Sequence, residues 1–313
     1  MTTTTPPVTA QEPVAGRRGR AKLSEGARAE RRLGWLLCAP AVIVMVAVTA
    51  YPIGYAIYLS LERYIMSSPQ LTKFVGLSNY GAILSSGFWW HALLVTVIIT
   101  VVSVAIEFVL GMCLALLMYR TIWGKGGIRT TILIPYGIVT VAAAFSWLYA
   151  WTPSTGYLSA AFGNAAPLTS TSQAIGIIIL AEVWKTTAFM ALLLMAGLSL
   201  VPEDLLKAAQ VDGATAWQRF TKVILPLMKP AILVALLFRT LDAFRIFDNI
   251  FILTSGNNGT GSVSILNYDN LFTGLNFGLG SAMSILILIC VAIIAFTFIR
   301  GFGTAAPGTS LQR

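Results

Sequence analysis

Six apolar runs, at about 33–61, 92–118, 130–151, 174–200, 231–253 and 282–302, alternate with polar segments along the chain. A helix rises about 1.5 Å per residue, so about 20 apolar residues cross a hydrocarbon core of roughly 30 Å. Each run meets that length. The pattern predicts an all-α polytopic membrane protein with six transmembrane helices. It divides the chain into a basic tail at 1–32, a membrane domain at 33–302 and a short tail at 303–313. The start of the first tail, rich in Thr, Pro and Ala, reads as disordered.

Composition agrees with a lipid solvent. Hydrophobic residues make up 57% of the chain and charged residues 11%, against roughly 25% charged in an ordinary soluble domain. The net charge of +9 matters less than where it falls. Seven basic residues precede the first run. With that tail on the cytoplasmic side, sixteen Lys and Arg fall inside and only Arg63 and Lys73 outside, which predicts an inner-membrane protein with both termini cytoplasmic. No basic stripe interleaves with aromatics, so nucleic acid is not an expected partner. Cys38, Cys113 and Cys290 lie singly in apolar runs, and His91 is the only histidine. Neither a zinc motif nor a disulfide framework follows. The first run is too long for a cleaved signal core of about 7–15 residues, despite Val48-Thr49-Ala50, and reads as a retained span.

Among the loops, Phe88-Trp89-Trp90 is placed at the headgroup level by the usual distribution of tryptophan. The uncharged 152–173 and 254–281 loops either face a soluble partner or simply connect spans. The 201–230 segment carries more. Pro202 is suited to start a helix, and Glu203 and Lys207 stand four apart in the favourable order. Asp212-Gly213 is a helix stop. A second helix, Thr215 to Leu225, places Trp217, Phe220, Val223 and Ile224 on one face before Pro226 and Pro230 end it. An apolar face beside water needs a cover, such as a groove on a cytoplasmic partner.

Lys207-Ala208-Ala209-Gln210-Val211-Asp212-Gly213-Ala214, followed by Phe220 and Leu225-Pro226, resembles the signature loop of bacterial ABC importer permeases. The chain is similar to the maltose/trehalose-type sugar subgroup from about 33 to 302. The similarity rests on Pro40, Tyr51-Pro52, Ser60, Gly76-Leu77-Ser78-Asn79-Tyr80, Ile134-Pro135, Trp147, Trp184, Gly197-Leu198, Pro202, Phe244-Arg245-Ile246-Phe247-Asp248 and Leu253-Thr254. Within the subgroup it looks most like permeases of mycobacterial trehalose importers. The resemblance implies a type I ABC importer permease fold and a short coupling helix seated on an ATPase. It makes Glu203, Lys207, Ala208, Ala209, Asp212, Gly213, Ala214, Phe220 and Pro226 docking residues. It also implies a second permease, ATPase subunits, an extracytoplasmic solute-binding lipoprotein and a sugar substrate, foremost trehalose. Two positions depart from the pattern. The family usually has glutamate where Lys207 stands, and Gly-Gly-Pro where Ser255-Gly256-Asn257-Asn258 stands.

The chain has no phosphate-binding Gly-x-x-x-x-Gly-Lys-Ser/Thr loop; Gly124-Lys125 is followed by Gly126. No cofactor is expected on this chain, and ATP with magnesium belongs on the partner ATPase. Ionisable groups inside a bilayer are costly and mark candidate sites. Glu182 and Lys185 in the fourth run are spaced to pair. In the fifth run Arg239, Asp242, Arg245 and Asp248 recur at steps of three and form a slowly winding stripe. Lys185 and Asp242 lie about 16 Å deep, near the midplane. Either the stripe lines the path of a polar solute, with Glu107 and Phe247 as further candidates, or it pairs packed helices. An ion-coupled secondary transporter would show internal repeats, and none is evident. A membrane enzyme would need a nucleophile–base pair or a metal cluster, which the residue types do not supply.

Overall fold

A computed structural model describes residues 25–120 and 125–303. The basic residues before 25, the segment 121–124 and the tail after 303 lie outside the described residues, as do the expectations placed on them. Helix α1 spans Glu25–Ser60, with Pro40 and Pro52 inside it. The chain divides into one unit ending at Gly54 and a second beginning at Tyr55. The second unit holds everything that follows.

After α1 come a two-stranded antiparallel hairpin, β1 (Glu62–Arg63) with β2 (Lys73–Phe74), and helix α2 (Ser78–Leu84). The Asn79 amide donates to the carbonyls of Ser60 and Glu62 at 2.8 and 2.9 Å. The Ser60 and Tyr80 hydroxyls meet at 2.7 Å. These bonds tie α2 to the end of α1 and to the first strand of the hairpin. Helix α3 (Gly87–Arg120) follows, then α4 (Lys125–Gly137), α5 (Thr140–Ala150) and the short α6 (Tyr157–Ala161). Helix α7 (Thr171–Leu198) packs along α3 over much of its length.

Next come α8 (Glu203–Val211), α9 (Ala216–Arg219), a π-turn at Phe220–Ile224, and α10 (Leu225–Leu227). Helices α11 (Lys229–Ala243), α12 (Asp248–Leu253), α13 (Val263–Tyr268) and α14 (Phe277–Gly303) complete the chain. Among the described residues four helices are long and apolar enough to cross a membrane, or six if each of two bent pairs, Thr130–Gly137 with Thr140–Ala150 and Ala216–Leu227 with Lys229–Leu253, counts as one span.

The 130–151 and 231–253 runs are not continuous helices. Thr130–Gly137 and Thr140–Ala150 meet at 91°. Pro135 cannot continue the hydrogen-bond ladder, and Gly137 follows it closely. In the fifth run the ladder stops at Ala243 and resumes at Asp248. The carbonyl of Ile246 inside the interruption accepts from the buried Ser262 hydroxyl at 3.0 Å, which satisfies a group that lipid cannot. The stripe of four charges at steps of three therefore does not run along one helix.

Among the described residues of the second unit, three apolar clusters form the core. One joins α3, α7 and α11 through Met112, Met190, Leu194, Met228 and Ile232. A second joins α3, α7 and α12 through Ile99, Ile178 and Ile250. The third surrounds Trp89 with Ile83, Phe244, Val263 and Met283. Trp89 is only 2% exposed, so it is core rather than part of an interfacial belt. Trp90 is exposed and donates its indole N–H to the Leu84 carbonyl at 2.8 Å. Where α7 meets α11, a Cβ on Gly197 would lie 2.4 Å from the Ala231 Cβ. Only glycine admits that approach.

Candidate functional site

Between the first two apolar clusters lies a polar knot. Arg239 of α11 is fully buried, and its guanidinium reaches three carboxylates. Its Nε and one terminal nitrogen grip Glu107 of α3 side-on, the second contact at 3.0 Å. That same nitrogen donates to Glu182 of α7 at 2.6 Å, and the other donates to Asp242 at 2.7 Å. The Thr186 hydroxyl donates to Glu107 at 2.8 Å, and the Asn249 amide of α12 donates to the second oxygen of Glu182. Four helices thus meet in one network, with Arg239 at its centre and Asn249 joined to it through Glu182. Charges taken out of water persist only when paired and hydrogen-bonded, and here each buried carboxylate oxygen has a donor.

The knot separates the sequence candidates into two groups. Glu107, Glu182 and Arg239 form the helix-pairing core. Asp242 is tethered to it but its side chain is 71% exposed. With Lys185, Arg245, Phe247 and Asp248 it lines a cavity of about 260 Å³, which Tyr136, Thr140, Thr186, Ile246, Asn249 and the edge of Glu182 complete. Glu182 and Lys185 do not pair as their spacing suggests. Glu182 turns to Arg239, while the Lys185 ammonium sits 5.6 Å from the centre of the Tyr136 ring. Lys185 and Arg245 form no ion pair among the described residues. Their donors and the Asp242 and Asp248 carboxylates are available to a polyhydroxylated solute, and Phe247 offers it a ring face.

Sequence reasoning missed Tyr136, Thr140, Thr186 and Asn249. Thr186 carried a faint signal, being one turn beyond Glu182 on an apolar helix. Asn249 carried none, because its position depends on the interruption of the fifth run.

At the other region of interest, α8 carries Glu203 and Asp204 in its first turn, where the helix dipole favours them. The Lys207 ammonium lies 3.7 Å from Glu203 and 3.9 Å from Asp204, all three well exposed. Gly213 closes the helix at φ +81°, and the Ala214 N–H returns to the Ala209 carbonyl at 2.9 Å. Thr215 and Gln218 then form a reciprocal capping box that starts α9. The second helix therefore begins at Ala216, one residue later than the pattern suggests.

The π-turn rotates its apolar face inward. Ile224 is buried in the core with Phe220 packed against it, so the chain itself covers part of the face for which a partner groove was expected. Leu205, Ala208, Val211, Asp212, Gly213, Trp217 and Pro226 remain exposed, and Ala209 and Ala214 are half-buried. Among the described residues no group of His, Cys, Asp or Glu side chains is arranged to hold a metal.

Helices of membrane-crossing length around a polar cavity and a buried charge knot define a multi-pass membrane transport component. The family described as "Binding-protein-dependent transport system inner membrane component" matches residues 81–303, and the chain belongs to that family. It is 67% identical over 281 residues to the trehalose transport system permease protein SugA of Mycobacterium tuberculosis, covering 90% of this chain and 92% of that one. It is 38% identical over 283 residues to the trehalose/maltose transport system permease protein MalF of Thermococcus litoralis, covering 86% and 92%. Among solved structures, a bacterial ABC transporter involved in import of the acidic polysaccharide alginate matches with a TM-score of 0.76 at 22% identity, over 90% of this chain and 99% of that one. The fold is that of a type I ABC importer permease.

Proposed function

We propose that the chain is a permease subunit of an ATP-driven importer for a sugar, with trehalose as the solute. The observation that carries this is the 67% identity over 90% of the chain to a protein named for trehalose transport. The geometry supports it. The cavity offers uncompensated cations, carboxylates, hydroxyls and an aromatic face, a set suited to a neutral polyol. Its volume of about 260 Å³ falls just below the roughly 300–1,000 Å³ of complete small-molecule pockets, as expected if a second permease supplies the facing wall.

In this reading the 201–230 segment docks on an ATPase subunit. Its exposed residues Glu203, Lys207, Ala208, Asp212, Gly213 and Pro226 make contact, while Ala209, Ala214 and Phe220 shape the segment from beneath. ATP and magnesium are held by the ATPase. An extracytoplasmic binding lipoprotein delivers the sugar, and both termini are cytoplasmic, as the sixteen-to-two distribution of basic residues supports.

Uptake of radiolabelled trehalose and maltose in a strain lacking this gene, with and without a plasmid copy, tests the reading. Restoration of trehalose uptake is the expected result. Restored growth of transport for a different solute class, with trehalose unaffected, overturns it.

A further inference from the structure

We propose that Glu182, Arg239 and Asn249 form a clamp that spans the interrupted fifth span and sets the position of the cavity wall. The inference rests on the cavity being the solute path. The helical ladder is lost between Ala243 and Asp248, yet the residues on either side of the gap do not move independently. Arg239 lies on the preceding helix and Asn249 on the following one, and both donate to the same carboxylate, that of Glu182 on α7. All three are buried. Cavity-lining residues are attached at each end: Asp242 hangs from the Arg239 guanidinium, and Asp248 immediately precedes Asn249.

An interrupted helix in lipid is ordinarily held by neighbouring groups that satisfy the freed backbone. Ser262 does that for Ile246, but it fixes only the gap itself. The side-chain clamp fixes the two helices against a third. Glu107 completes it by holding the arginine from α3, so that the guanidinium cannot follow Asp242 into the cavity. Arg239 is thus a positioning residue that acts on solute through Asp242, while Glu182 and Asn249, at the cavity wall themselves, hold Asp242 and Asp248 in place.

The complete importer, purified and reconstituted in lipid vesicles, gives a test with two readouts. The first is the rate of trehalose uptake per assembled importer. The second is the distance between spin labels at Phe238→Cys and Ile252→Cys, one on each side of the gap, in a chain whose three natural cysteines are replaced by serine. Asn249→Asp sets two carboxylates against each other. It is expected to broaden the distance distribution and slow uptake at least about tenfold, the factor that loss of one charge-assisted hydrogen bond brings. Combining it with Glu182→Gln restores an N–H···O contact with the donor reversed. That pair is expected to recover a narrow distribution and most of the uptake.

Asn249→Leu fills the space without a donor and is expected to behave like Asn249→Asp. An unbroadened distribution in both single variants overturns the clamp, as does failure of the paired change to outperform Asn249→Asp. If distances respond as expected but the unmodified importer moves no trehalose, the clamp stands and the solute assignment falls.

Discussion

Arg239 and Asn249 lie on opposite sides of the gap between Ala243 and Asp248, and both donate to the carboxylate of Glu182. This shared acceptor makes the fifth span a jointed element rather than a rod. It also joins a buried set of membrane charges, of which Glu182 reaches the cavity wall, to an open set that faces the cavity.

The buried set predicts a large and asymmetric stability effect. Arg239→Met leaves Glu107 and Glu182 buried without their cation, at a cost of about 3–5 kcal/mol. Replacing all three together, with Glu107→Gln and Glu182→Gln, is expected to cost less than the single change. The fraction of importer surviving heating in detergent, followed by gel filtration, measures both. A single variant as resistant as the unmodified protein would contradict the burial argument.

Gly213 adopts φ +81° at the end of α8, a region that costs a side-chain-bearing residue about 1–2 kcal/mol. Gly213→Val is expected to redirect the 201–230 segment while leaving the protein in the membrane. Solute-stimulated ATP hydrolysis and uptake then separate. Uptake at the normal rate would remove the docking assignment.

Lys207 replaces the glutamate usual in the family pattern and is exposed beside Glu203 and Asp204. Exposed pairs contribute at most about 1 kcal/mol, so Lys207→Ala should shift the melting midpoint very little. Coupling is another matter. Lys207→Glu is expected to reduce solute-stimulated ATP hydrolysis several-fold, and a compensating basic residue on the ATPase should restore it. Unchanged hydrolysis would show that the contact lies elsewhere on the segment.

The close crossing of α7 and α11 depends on Gly197. Gly197→Ala puts a methyl group 2.4 Å from the Ala231 Cβ, an overpacking that costs about 1–3 kcal/mol. Adding Ala231→Gly should recover much of the loss. Thermal midpoints of the single and paired variants decide it, and additive destabilisation would place the strain somewhere else.

Much of this was legible in the sequence because lipid simplifies the reading. A helix that must satisfy its own backbone shows as a long apolar run, and α3, α7 and α14 appear with ends within several residues of those expected. Asp212-Gly213 marked its helix end because left-handed geometry selects glycine. The interruption after Ala243 was hidden: no proline or glycine signals it, and its freed carbonyl is satisfied by Ser262, sixteen residues away. That concealed break explains why the step-of-three stripe misled and why Asn249 went unnoticed. The spacing of Glu182 and Lys185 suggests a pair because spacing reveals neighbours on one helix, whereas the partner of Glu182, Arg239, lies 57 positions away. Three buried ionised residues on three apolar helices nevertheless had to find one another.

The most direct test of the central claim, that the cavity between Lys185, Asp242 and Asp248 carries the solute, is protection of a cysteine placed in its wall. Thr140→Cys, in the otherwise cysteine-free chain within the complete importer, is exposed to a charged, membrane-impermeant thiol reagent during turnover. Labelling from water that slows markedly when trehalose is saturating is the expected result. Labelling that is fast and indifferent to trehalose would contradict it.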